Sequence, residues 1–452
     1  MSERIDSLLE ALIGILSASD DNQNLQLQKE DGTLHLLYNV SLCDPSKLYA
    51  FIRVPFAKNK NIAEFAIYMK DLAETVEPSD TGSLLKMLYE GYALIFMEEQ
   101  ILAFKAVKDL GNQPVPSQVE GTLYGPQNAL CEDNETNISI IRQRYPSVNL
   151  IVENFTAGTM TQTKIALLYD SAVVNQSALS HVKERLKELD ATVIQASNQL
   201  YLLLNRQKYS LFPTMLHTDR PDRAVFNLSQ GKIVFLVQGT PFAMIGPAVF
   251  YDFVSAMDDV YTNYWINRCS AFLRYLSVFF TLFLPAIYIA AVSFNPEMFR
   301  VQLSLSIAGS RAAVPYPSYM EVLIMSFMIE ALTEASIRLP KYIGSTAATV
   351  GGLILGQAAQ QAGLVSSVLI IVVSLVAISS FLIPVNPMFY TIRVIRYPLI
   401  VLASLFGVTG LAGGFFVLLI WLANLRSFEQ PYFRIFANER SSSGMKKGGK
   451  VS

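Results

Sequence analysis

Apolar residues fall into two regimes along this chain. Up to about residue 260 they come in short runs broken by polar turns: Leu34-His-Leu-Leu-Tyr, Gly91-Tyr-Ala-Leu-Ile-Phe, Leu167-Leu-Tyr and Gly231-Lys-Ile-Val-Phe-Leu-Val. Runs of this length, bounded by Gly, Pro or Ser, read as β-strands. Beyond residue 270 they lengthen to about twenty residues, over 272–294, 317–339, 365–383 and 399–422, each enough to cross the roughly 30 Å of hydrocarbon in a bilayer. Pro285 is expected to kink the first of these spans, and 346–363 is a weaker apolar segment.

The short runs recur in the same order. Leu36-Leu-Tyr, a polar turn and a helical stretch are echoed by Leu167-Leu-Tyr, a polar turn and a helix over 177–189. The two short strands that begin at Gly91 are echoed by those that begin at Gly231. Tyr38 to Gly91 is 53 residues and Tyr169 to Gly231 is 62, the spacing of a duplicated unit with one insertion. Strands alternating with helices make each copy α/β, and residues 1–30 read as an amphipathic helix and a polar turn. The expected fold class is an α/β soluble N-terminal region of two similar subdomains followed by an all-α polytopic membrane domain. The first subdomain is placed at 1–112, a Pro- and Gly-punctuated connector and linking helix at 113–150, and the second subdomain at 151–260. A transmembrane domain of four to six segments follows at 261–426, with a basic cytoplasmic tail at 427–452.

Composition agrees with that division. Of the 452 residues, 52% are hydrophobic, more than a soluble protein of this size carries. Residues 1–266 hold 31 acidic and 21 basic side chains, a net of −10, whereas 267–452 hold 6 acidic and 14 basic, a net of +8. The acidic front is a poor nucleic-acid binder; the basic residues flank apolar spans. Cys43, Cys131 and Cys269 are widely spaced, which fits a reduced compartment. No basic segment precedes the apolar residues 5–16, so the front is expected to stay in the cytoplasm. His35, His181 and His217 have no metal-ligand partners at helical spacing, and no nucleophile motif occurs. Gly444-Met-Lys-Lys-Gly-Gly-Lys has the spacing of a phosphate loop, but Val451 stands where Ser or Thr should hold magnesium. No enzyme activity, cofactor or metal site is expected.

The chemistry that does stand out is inside the second span, where Glu330, Glu334 and Arg338 recur at i, i+4 and i+8 on one helical face. A charge at mid-bilayer costs roughly 2.5 to 3.5 kcal/mol, so this face must meet protein or water. Two readings are open: a Glu334–Arg338 pair that only holds helices together, and an ion or substrate pathway along the stripe. The pathway reading leads, because a local pair leaves Glu330 without a partner. Gly352 and Gly356, and Gly410 and Gly414, have the small-xxx-small spacing that lets membrane helices approach closely; tolerance of glycine in an apolar helix gives the same pattern.

Several motifs occur in order: Asp219-Arg-Pro-Asp-Arg, Gly239-Thr-Pro-Phe, Arg311-Ala-Ala-Val-Pro-Tyr-Pro, Glu334-Ala-Ser-Ile-Arg-Leu-Pro-Lys-Tyr-Ile-Gly, Val350-Gly-Gly-Leu-Ile-Leu-Gly-Gln and Ser427-Phe-Glu-Gln-Pro-Tyr. With them the chain resembles the A subunit of spore germinant receptors, the GerA family. The resemblance implies a multi-pass subunit of a nutrient receptor in the inner spore membrane. Its implied partners are a transporter-like B subunit, a lipoprotein C subunit, further copies of itself, membrane lipid and monovalent cations, with no nucleic acid. It also implies an oligomeric, nutrient-gated cation channel whose opening triggers ion release and germination. Glu330, Glu334, Arg338 and Pro340 match the family's membrane motif, and Gly351, Gly352, Gly356 and Gln357 the glycine-rich segment after it. Thr333, Gln238 and Glu429-Gln430 depart from the family's usual residues. An acidic stripe repeated around a ring is a cation-attracting constriction. The competing class is a secondary transporter or structural membrane scaffold, but the visible repeat lies in the soluble part rather than in the spans.

Basic residues at both ends of the membrane part place both termini on the cytoplasmic side. An even number of crossings follows, with 346–363 re-entrant or buried and Arg393 and Arg396 on the outer side.

Overall fold

The computed structural model describes residues 2–77, 80–97, 100–109, 117, 119–205, 210–338, 341–428 and 430–433. The first subdomain runs α1 (Ser2–Leu16), β1 (Asn22–Lys29), β2 (Gly32–Asn39), short helical turns over 45–58, α2 (Ile62–Lys70), β3 (Glu74–Val76), α3 (Thr81–Tyr89), β4 (Tyr92–Phe96) and β5 (Ile101–Lys105). The second repeats that order: α4 (Asn134–Arg144), β6 (Leu150–Ala157), β7 (Thr163–Asp170), α5 (Gln176–Lys187), α6 (Ser197–Leu204), β8 (Leu216–Thr218), α7 (Pro221–Ser229), β9 (Ile233–Val237) and β10 (Ala243–Gly246). Each half forms one antiparallel sheet, ordered β1-β2-β4-β5-β3 and β6-β7-β9-β10-β8. Strand for strand these are the same topology, so the region consists of two similar α/β subdomains.

Period-2 alternation sets which side chains face which layer. In β2, Leu34 and Leu36 enter a core with Phe65 and Met69 of α2, while Leu37 enters the opposite core with α1 and α3. In β7, Ile165 and Leu167 pack on α5 and α6, while Ala166 and Leu168 face α4 and α7. The helix before each central hairpin ends at a glycine in the left-handed region, Gly91 at φ 88° and Gly231 at φ 79°, where a side chain is strained.

The helical region consists of α8 (Tyr264–Ser293), α9 (Val301–Arg311), α10 (Ser318–Arg338), α11 (Lys341–Gln361), α12 (Ser367–Phe381) and α13 (Asn386–Asn424). Among the described residues, α8 and α13 are long and apolar enough to cross a membrane, and α12 is a shorter apolar helix. Pro285 lies inside the single helix α8. The weak segment 346–363 falls in α11, a helix of 21 residues, and α9 has no counterpart among the expected spans.

The run 399–422, expected as one span, is not one. Gly407 takes φ 61° and ψ −136° inside α13, and beyond it Gly410 lies against the Leu402 carbonyl while a methyl group on Gly414 would come within 2.7 Å of Leu399 Cδ2. A straight helix separates residues fifteen apart by about 22 Å, so α13 is a hairpin whose arms, 386–406 and 408–424, lie side by side. Both open ends reach the second subdomain: Thr391 Oγ1 donates to Leu211 O at 2.6 Å, and Trp421 packs edge-on to Phe212 at 5.2 Å.

The chain then re-enters that subdomain through a two-stranded ribbon, β11 (Arg426–Ser427) and β12 (Gln430–Pro431). Ser427 Oγ donates to Thr214 O at 2.7 Å, Phe250 N donates to Tyr432 O at 3.0 Å, and Tyr432 is fully buried. The described residues between 427 and 433, expected to open a basic tail, thus belong to the folded core. Glu429 and the basic stretch from Arg434 onward lie outside the described residues.

Candidate functional site: a charged cluster between helices

The site begins with α10. Its N-terminal Ser318 hydroxyl meets that of Ser293 at the end of α8, and Glu321 in its first turn is completely buried. Glu321 is satisfied one for one: Oε1 accepts from Arg311 Nε at 2.9 Å, and Oε2 from the backbone N of Ser366, the residue that caps α12, at 3.1 Å. That carboxylate ties α9, α10 and α12 together.

Further along α10 the charges are arranged differently. Glu330 is not without a partner, as local spacing implied: Oε1 accepts from Arg396 Nη2 at 2.7 Å, and Oε2 is paired with Arg393 Nη2, both from the first arm of α13. Arg393 and Arg396 are therefore held inside the bundle. Arg393 lies over the rings of Phe389 and Tyr390 at 5.0 and 5.6 Å, and Arg396 over Tyr397 at 5.4 Å, contacts that stabilise a desolvated guanidinium. A cavity of about 30 Å³ adjoins the cluster, lined by Glu330, Arg393, Arg396, Thr333, Ser380 and Pro285 among others.

Glu334 and Arg338 are paired at 3.0 Å, but their side chains are 56% and 78% exposed. The stripe on α10 thus divides: Glu330 faces α13, while the next two charges face outward. Of the glycine-rich segment, Gly351 and Gly352 approach Leu332 of α10, where a methyl group would stand 3.2 and 3.3 Å from its Cδ atoms. Gly356 faces open space among the described residues and Gln357 is exposed. Gly410 and Gly414 face the opposite arm of their own hairpin. Pro340 lies outside the described residues.

Two further clusters bind the soluble region together, and local spacing gave neither. Between the subdomains, Arg142 of α4 donates from Nε and Nη2 to Asp21 at 2.9 Å each, while Ser19 Oγ donates to Asp21 at 2.7 Å. Burial alone pushes the Asp21 carboxyl up, but the Arg142 charge and these hydrogen bonds outweigh it and hold the group below its usual value. At the end next to the helical region, the Asp219-Arg-Pro-Asp-Arg motif grips the connector. Asp219 accepts from Ser117 Oγ at 2.9 Å, Arg220 donates to Thr122 Oγ1 at 2.9 Å, and Arg223 pairs with Glu120 at 2.6 Å. Asp222 accepts from Tyr261 OH at 2.7 Å, and Arg274 of α8 pairs with Asp259 at 2.5 Å. A continuous set of polar contacts therefore leads from the connector to the first long apolar helix. Gln238, a departure from the family pattern, accepts from Asn134 N at 3.1 Å at the start of α4.

The family model described as Bacillus/Clostridium GerA spore germination protein matches residues 10–448. This chain belongs to the GerA family. It is 35% identical to spore germination protein KA of Bacillus subtilis over 423 residues, covering 91% of this chain and 77% of that protein. Spore germination protein A1 of the same species is 31% identical over 437 residues, covering 95% and 90%. Spore germination protein B1 is 38% identical over 309 residues, covering 68% and 64%. Among solved structures, the N-terminal domain of the A subunit of the Bacillus megaterium spore germinant receptor GerK3 aligns with 54% of this chain at 21% identity, covering 94% of that domain at a TM-score of 0.40. These GerA relatives are named for spore germination and none for a catalysed reaction.

Proposed function

We propose that this chain is the A subunit of a spore germinant receptor, that its helical region spans the inner spore membrane, and that copies assemble around a nutrient-gated cation path. In this reading α8, α10, α11, α12 and the two arms of α13 make six crossings. The soluble region then sits on the cytoplasmic side with the chain's two ends, and α11 crosses as a partner of α10 rather than re-entering. The transporter-like B subunit and lipoprotein C subunit are the expected partners.

One observation carries the pore assignment. Glu334 and Arg338 continue the line of Glu330 on an apolar helix, yet their side chains are mostly exposed and, among the described residues, they pair only with each other. In a membrane such a pair must meet water or protein, and a ring of copies around a wet axis supplies both. Glu330, held by two arginines, then acts as the charged bolt between α10 and α13 rather than as the bare carboxylate of the constriction. The test is Glu334→Gln, because an exposed pair contributes at most about 1 kcal/mol to stability. Potassium and sodium release from germinating spores should fall while the amount of receptor in the membrane stays constant. Normal release at a normal receptor level would exclude Glu334 from the path.

A second reading, that these charges only hold the bundle, is favoured by the double pairing of Glu330. It expects Glu334→Gln to be silent and Glu330→Gln to reduce receptor amount without changing release per receptor.

A further inference from the structure

The buried cluster at the heart of the helical region is unbalanced. Two guanidinium groups, each always charged, face one carboxylate, so the site carries a net charge of +1. Glu330 gives one oxygen to each arginine. Two arginines offer ten N–H donors in all, against about four acceptor positions on a carboxylate. Arg396 is 5% exposed, and its Nε finds no hydrogen-bond partner among the described residues. Aromatic rings cover the guanidinium faces, so the surplus donors lie at the edges.

Other carboxylates do not redress the excess. After residue 266 the chain has six acidic residues. Glu321 is held by Arg311 and Glu334 by Arg338, Glu297 lies in the loop between α8 and α9, and Glu429 and Glu439 are outside the described residues. The hydroxyls lining the cavity, of Ser326, Thr333 and Ser380, are neutral and leave the charge uncancelled; two of them already donate to carbonyls of their own helices, Thr333 to Ile329 at 2.8 Å and Ser380 to Ala377 at 2.6 Å. An uncompensated buried cation is strongly disfavoured. Beside this one lies a cavity of about 30 Å³, large enough for a water or a chloride-sized ion.

We propose that the cavity between α10, α12 and α13 binds one small monovalent anion of the halide class, held by the edge N–H groups of Arg393 and Arg396 and neutralising the cluster. The anion is a structural counter-ion that lets α13 bring two arginines against one glutamate. The inference depends on this cluster alone and stands or falls apart from the cation path assigned to Glu334.

The test uses the full chain in lipid nanodiscs. Thermal unfolding is followed in sodium chloride, sodium bromide and sodium gluconate at equal ionic strength. Chloride and bromide should raise the midpoint by a few degrees, on the order of 3 °C, in a saturable way; gluconate, too large for the cavity, should not. Arg396→Gln removes the excess charge, and Ser380→Asp places a fixed carboxylate at the cavity wall; each should abolish the halide dependence. Should Arg396→Gln fail to fold, Ser380→Asp and the location of bromide by anomalous scattering remain decisive, with a peak expected beside Arg396 Nε. Equal midpoints in chloride and gluconate, a halide effect unchanged in Ser380→Asp, or a site occupied by water alone would each overturn the proposal.

Discussion

The soluble region and the helical region both bury arginines, and they treat them in opposite ways. Between the subdomains, Arg142 is fully buried and its donors are matched: Nε and Nη2 to Asp21, Nη2 also to Ser19 Oγ, and Nη1 to the Ser147 carbonyl. In the helices, Arg393 and Arg396 share Glu330, and among the described residues the buried Arg396 Nε has no partner. A matched buried charge makes a rigid joint; an unmatched one holds only while something else supplies the missing charge or contact. The first arrangement suits a fixed platform of two subdomains.

The largest effects should come from breaking either cluster. Arg142→Met leaves Asp21 buried without its cation, and Glu330→Gln leaves two buried arginines facing each other; each should cost about 3–5 kcal/mol. Urea unfolding reads the first. Membrane receptor level reads the second, and it should fall, the reverse of what local spacing on α10 implies when Glu330 is taken as free and Glu334 as buried. A Glu330→Gln protein present at normal amounts would mean that the cluster does not hold α10 to α13.

A smaller effect tests the equivalence of the two subdomains. Gly231→Ala drives a methyl group into the backbone carbonyl of Val173 at a left-handed position, whereas at Gly91 the nearest atom is the movable Val107 Cγ2, 2.9 Å away. Gly231→Ala should lose about 2–3 kcal/mol and Gly91→Ala less, near 1 kcal/mol. Equal losses would show that the two turns are more alike than their surroundings.

Smaller still is a pH effect confined to the second subdomain. Burial pushes His217 down to about 4 from its ordinary 6.5. The unfolded chain therefore takes up a proton near pH 6.5 that the folded chain refuses until about pH 4. Stability from this group is complete above pH 6.5 and declines as pH falls toward 4, with on the order of 1–2 kcal/mol already lost by about pH 5.5. His217→Gln should flatten that slope in denaturation curves measured across the interval. The smallest change is expected for Arg338→Ala, whose exposed pair contributes about 0–1 kcal/mol, with receptor level unchanged.

How much of this was readable in the sequence depends on the range of the interaction. The central strands of each sheet stood out because both faces are apolar, as in Leu34-His-Leu-Leu-Tyr and Ile233-Val-Phe-Leu-Val. The outer strands did not, because β1 is the polar Asn22-Gln-Asn-Leu-Gln-Leu-Gln-Lys at a sheet edge and β3 has only three residues. On α10, period 3.6 put Glu330 and Glu334 on one face, but it could not show that arginines 63 and 66 residues further on reach back to Glu330. The signal available was that Arg393 and Arg396, three apart, share a helical face inside an apolar run. The reversal at Gly407 was hidden for another reason. One glycine in an apolar stretch reads as helix, and only length argues otherwise: 39 residues of helix would extend about 58 Å, nearly twice the hydrocarbon thickness.

That reversal also decides how force could travel. A membrane helix tied to a soluble domain at one end can be pulled, pushed or twisted independently of its neighbours. The hairpin α13 cannot, because both its ends are fastened to the second subdomain, through Leu211 and Phe212, and the chain beyond is anchored by Tyr432. Any rotation of the subdomain swings the two arms together as a yoke, with the bend at Gly407, pressed against Phe294 at the end of α8, as its pivot. Arg393 and Arg396 ride on one arm, so their leverage on Glu330 is set by the tilt of the whole yoke.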